Sequence, residues 1–156
     1  MFKVSDTLEK RHTRFRRYLK SDPGVVVIIA AAEFEWTVRR GIIAMGSSPN
    51  ATIRRTLLLR HGLSAYKEVW RDEVRPQHGK SLPEIVPEWD RLVSEAFKLR
   101  HCLIHGAKRT VDVPFAEKQM ERILAATRSV VDFGKERGIN VLGVRLPVRR
   151  RQPKRS

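Results

Sequence analysis

The sequence predicts an all-α protein: an antiparallel helical bundle of five or six helices, followed by a basic, disordered C-terminal tail. Three observations support this. Apolar residues recur at helical spacing, Gly and Pro fall where helices begin and end, and no convincing strand interrupts the pattern. A length of 156 residues suits one domain with a real core, and 41% hydrophobic with 31% charged residues suits a folded chain. We expect the bundle to occupy 1–138 and the tail 139–156.

The first helix is expected over about 6–20. Asp6 can cap it with Glu9 three residues on, and Leu8, Phe15 and Leu19 share a stripe. Lys10, Arg11, Arg14, Arg16 and Arg17 give the other face a strong positive charge, as a solvated surface or a track for a phosphate backbone. The second helix opens at Ser21-Asp22-Pro23, with proline suited to the first helical position, and stops before Gly46. It begins apolar all round (VVVIIAAA) and becomes amphipathic (EFEWTVRRGII), as a central helix does. The β-branched run Val25 to Ile29 could read as a strand, but the unbroken pattern favours helix.

A third helix should run from Ser48-Pro49 to His61-Gly62, and a fourth from Ser64 to about Val74. RPQHGKSLPEIVP, with three prolines and a glycine, should be a loop. The fifth helix should start near Pro87, bury Trp89, Leu92, Val93, Ala96, Leu99 and Leu103, and stop at Gly106. The last should span about 114–137 with Phe115, Ile123, Leu124, Val130 and Val131 inward. Trp36, Trp70 and Trp89 are expected in the core rather than as base-stacking platforms.

Charge narrows the function. Lys and Arg total 32 against 17 Asp and Glu, a net charge of +15. So positive a chain attracts polyanions, nucleic acid first among them, or an acidic partner protein. Cys102 is the sole cysteine, so no intrachain disulfide can form, and a reducing cytoplasm fits. The N-terminal segment lacks an apolar signal stretch, and the apolar run Val25 to Ala32 is too short to span a bilayer, so no membrane role is expected.

The segment KLRHCLIHG, residues 98–106, places Arg100, His101 and His105 among Leu99, Cys102, Leu103 and Ile104. His101 and His105, four apart, share a helix face as zinc ligands can, but zinc needs further ligands, and Cys102 points about 100° away. No metal is expected. Basic groups in a last turn can also simply complement the helix dipole. With 22 arginines in the chain, an Arg five residues before a His arises by chance in about one such sequence in two, so spacing alone decides little. Context adds more: the group closes a long amphipathic helix, just before a glycine and the basic pair Lys108-Arg109.

At these residues the sequence resembles the HEPN superfamily, helical bundles whose ribonuclease members carry an Arg, a polar residue, three more residues and a His. The segment AAAEFEWTVRRGI is similar to the acidic, aromatic-containing central helix of several HEPN groups. The resemblance implies a metal-independent endoribonuclease without cofactor, a toxin or antiviral-defence effector, commonly dimeric with a shared site and often encoded beside an acidic antitoxin. Cleavage of RNA by its own 2′-hydroxyl needs a base, an acid and a cation for the phosphorane. Imidazole suits either proton transfer, and a guanidinium fork suits the phosphate oxygens. Arg100 and His105 are therefore the expected catalytic residues, with His101 orienting Arg100 or the phosphate. On a regular helix Arg100 and His105 diverge by roughly 140°, so a homodimer joining two such sets about a two-fold axis is expected. Lys98, Lys108, Arg109, Arg149, Arg150 and Arg151 are candidate RNA-backbone contacts, and Glu33 or Glu35 can pair with Arg100 across the bundle. The alternative is a non-catalytic nucleic-acid-binding or dimerisation protein of similar fold.

Overall fold

A computed structural model describes residues 7–108 and 110–150. The all-α class is as expected, and no strand occurs among the described residues. The helices are α1 (Leu8–Tyr18), α2 (Pro23–Met45), α3 (Asn50–Leu59), α4 (Leu63–Glu73), α5 (Arg75–His78), α6 (Leu82–Ile85), α7 (Trp89–Arg91), a π-helical segment (Leu92–Phe97), α8 (Lys98–Ile104) and α9 (Val113–Lys135). The chain divides into two compact units, residues 1–36 with 86–129, and 37–85 with 130–156.

In the first unit, α1 starts at Thr7, whose Oγ1 accepts the Lys10 N–H at 3.3 Å. The cap expected at Asp6 lies outside the described residues. Leu8, Phe15 and Leu19 are buried as expected, but so is Arg11, together with His12. The basic outer face therefore excludes Arg11, which meets Glu33 of α2 instead. The fifth helix arrives as three consecutive pieces, α7, the π segment and α8. The π turn is wider than an α turn and shifts the register of the residues beyond it. Val93, expected inside, is 42% exposed, while Leu92, Ala96 and Leu99 are buried. Phe97 packs edge-on against Phe34, ring centroids 5.9 Å apart. A Cβ on Gly24 would sit 3.6 Å from Leu103, so the start of α2 and the end of α8 lie side by side.

In the second unit, Trp70 is fully buried, and its Nε1 donates to the Lys80 carbonyl at 3.0 Å. The segment expected as loop, 75–87, contains the single turns α5 and α6. Its prolines do not prevent this, because Pro76 and Pro83 stand in first turns, where no amide hydrogen bond is lost.

The C-terminal carbonyls of α2 are each satisfied. Ile42 O accepts from Gly46 N at 2.8 Å, Met45 O faces His78 Nε2 at 3.2 Å, and Arg149 supplies the other two. Its Nη2 and Nη1 donate to the carbonyls of Ile43 and Ala44 at 2.6 and 2.9 Å, and its Nε to that of Ser48 at 3.1 Å. Residues 139–150 thus depart from the disordered tail expected from 139. Val141 is buried, Arg40 donates to its carbonyl at 2.7 Å, and Arg149 N donates to Asn50 Oδ1 at 2.8 Å. Residues 151–156 lie outside the described residues.

Candidate active site

Arg100 and His101 lie in the last turns of α8, and His105 is its C-cap. Leu99 anchors this turn in the core, and Gly106, at φ 71°, turns the chain out of the helix in the left-handed region that glycine tolerates. His105 is the C-cap, its N–H bonded to the His101 carbonyl at 3.0 Å.

Arg100 is half-buried, and its Nη2 lies 3.5 Å from Glu35 Oε2 on α2. Its Nε is buried and meets no hydrogen-bond acceptor among the described residues. Of the two carboxylates considered as partners, Glu35 takes the place and Glu33 does not. The exposed imidazoles of His101 and His105 lie with centroids 4.3 Å apart and planes tilted by 47°. The His101 ring thus meets His105, and the ion pair of Arg100 is with Glu35.

Among the other candidates, Lys98 is exposed, and Lys108 carries its ammonium over the Phe115 ring at 5.6 Å. Arg150 is exposed, while Arg149 commits its guanidinium to the α2 carbonyls and is a structural cap. Arg109 and Arg151 lie outside the described residues. No group of three or more His, Cys, Asp or Glu side chains gathers among the described residues.

A second cluster was not anticipated from the sequence. Arg11 Nη1 lies 3.0 Å from Glu33 Oε1, and His12 Nε2 lies 3.8 Å from Glu33 Oε2, with all three side chains buried. His12 Nε2 and Glu33 Oε2 have no hydrogen-bond partner among the described residues. Burial pushes the Glu33 carboxyl up to about 7, outweighing the opposing charge of Arg11. Burial pushes the His12 imidazole down to about 4, with the Arg128 and Arg16 charges acting in the same direction. The signal was present in the sequence: positions 11 and 12 complete the stripe 8, 15 and 19 at helical spacing.

No protein-family model, curated protein or solved structure matches this chain.

Proposed function

We propose that this chain is a metal-independent endoribonuclease of the HEPN type, active as a cytoplasmic homodimer and serving as a toxin or antiviral-defence effector. The observation that supports it most directly is Arg100: a guanidinium held on one nitrogen by Glu35, its side chain 32% exposed, within a turn and a half of two exposed imidazoles. A phosphodiester offers the oxygens that such a fork lacks.

In this reading Arg100 binds the non-bridging phosphate oxygens and neutralises the charge that grows on them. One histidine takes the 2′-hydroxyl proton as the 2′-oxygen bonds to phosphorus. The bond from phosphorus to the 5′-oxygen breaks, and that oxygen takes a proton from a second histidine. The products are a 2′,3′-cyclic phosphate and a 5′-hydroxyl, and water can open the cycle to a 3′-phosphate. His105 of each copy supplies base or acid, with His101 in ring contact with it for support. A two-fold pairing at this helix end brings the two sets together, and Ile104, 46% exposed between the histidines, gives such a contact apolar surface. The net charge of +15 fits RNA as substrate and an acidic antitoxin as regulator.

The test is purified protein with labelled single-stranded RNA in EDTA, beside its His105→Ala variant. Cleavage by the parent with cyclic or 3′-phosphate ends, lost in the variant, is the expected result. Intact RNA in both, or equal cleavage in both, overturns the proposal and leaves the non-catalytic binding reading.

A further inference from the structure

The second unit carries a groove that the proposed active site does not use. It has a volume of about 610 Å³ between the start of α3 and the docked chain at 148–150, and its lining includes Asn50, Arg54, Arg55, Val148, Arg149 and Arg150. No carboxylate and no aromatic ring is among the described residues that line it. Arg54, Arg55 and Arg150 are exposed, and none pairs with a carboxylate among the described residues.

We propose that this groove binds the phosphodiester backbone of a nucleic acid. Three unpaired cations without a neutralising acid form a local positive field that a chain of phosphates satisfies by releasing its counterions. The wall is rigid before ligand arrives. Asn50 exchanges backbone and side-chain hydrogen bonds with Arg149, its Nδ2 donates to the Pro147 carbonyl at 2.8 Å, and the Arg149 guanidinium is fixed on the α2 carbonyls. Arg149 is thus a positioning residue that holds the backbone of Arg150 at the groove lined by Arg54 and Arg55, so the ordering left on binding is that of the exposed arginine side chains. Without an aromatic side chain the groove offers bases no stacking platform, so it follows the backbone and ignores sequence. The groove does not depend on cleavage at Arg100 and His105.

The test measures binding by the full chain of two labelled strands that 2′-hydroxyl attack cannot cut, 2′-O-methyl RNA and DNA, across a salt series. The variant Arg54→Gln/Arg55→Gln/Arg150→Gln should bind about tenfold more weakly and lower the salt slope by about 2, roughly 0.7 for each phosphate no longer neutralised. Loss in both arms assigns the groove to the shared phosphodiester chain, and loss in the 2′-O-methyl arm alone assigns it to RNA. Ala51→Glu keeps every arginine, places a carboxylate at an exposed position of the same groove, and should weaken binding in the same direction. Unchanged affinity and slope in both variants overturn the proposal. So does a polyglutamate peptide that binds through the same arginines as tightly as either strand, which points to an acidic protein instead. Because neither strand is cleavable, this result is independent of whether the protein cuts RNA.

Discussion

Arg100 and Glu35 meet through one long contact, Nη2 to Oε2 at 3.5 Å, while the Arg100 Nε stays buried without an acceptor among the described residues. The side chain is 32% exposed, and in the proposed site this single contact fixes its direction while the other terminal nitrogen stays outside the ion pair. Arg100→Ala should therefore lower kcat on RNA by at least about a hundredfold, the scale of losing one charge-stabilising donor, and His105→Ala should do the same by removing a proton carrier. Single-turnover cleavage of labelled RNA measures both. Retention of the parent rate by either variant removes that residue from the site.

Glu35→Gln separates tethering from chemistry. It leaves the Arg100 charge in place but loosens its hold, so kcat should fall while RNA binding stays equal or tightens, a carboxylate having been removed from beside the phosphate. A KM increase with unchanged kcat would contradict this role for Glu35.

If the 2′-hydroxyl is the nucleophile, a substrate with one deoxynucleotide on the 5′ side of the scissile phosphate should resist cleavage there and be cut elsewhere. Activity should also survive EDTA unchanged. Mapping the ends of the products reads both, and cleavage at the deoxy position rules out internal attack.

The buried cluster predicts two opposing pH dependences. Glu33 titrates near 7 in the folded chain against an ordinary 4.5, so the native state holds its proton longer, and its contribution falls as pH rises from 4.5 to 7. His12 titrates near 4 against an ordinary 6.5, so the unfolded state binds the extra proton, and its contribution falls as pH drops from 6.5 to 4. Between 4.5 and 6.5 the two should nearly cancel. Relative to the parent, Glu33→Gln should steepen the rise of stability with pH by about 1 kcal/mol per pH unit, and His12→Gln should produce the opposite slope. Urea unfolding across this range tests it, and parallel curves for all three proteins would contradict the assignment.

Arg149→Ala leaves the carbonyls of Ile43, Ala44 and Ser48 without their donor. A loss of about 1–3 kcal/mol is expected, the scale of stranding buried acceptors at a helix end. Arg150→Ala, exposed and one residue on, should cost under about 0.5 kcal/mol. Equal urea midpoints for the two variants would show that Arg149 is no cap.

The sequence by itself determined the helices that pattern and punctuation specify. Pro23 and Gly46 bound α2, Leu8, Phe15 and Leu19 mark the inner face of α1, and Gly106 ends α8, because local propensity and the burial of an apolar stripe act within single segments. It also placed Arg100, His101 and His105 within a turn and a half at a helix end. The tertiary structure decided what one segment cannot encode. A fixed period of 3.6 cannot reveal the π segment, nor that Val93 within it faces outward. Nor could composition separate Arg149, folded back onto α2, from Arg150 beside it, since the carbonyls that capture Arg149 come from residues about a hundred positions away. Glu35 rather than Glu33 meets Arg100 for the same reason: two carboxylates two positions apart project in different directions from α2, and only packing shows which direction holds Arg11 and which holds Arg100.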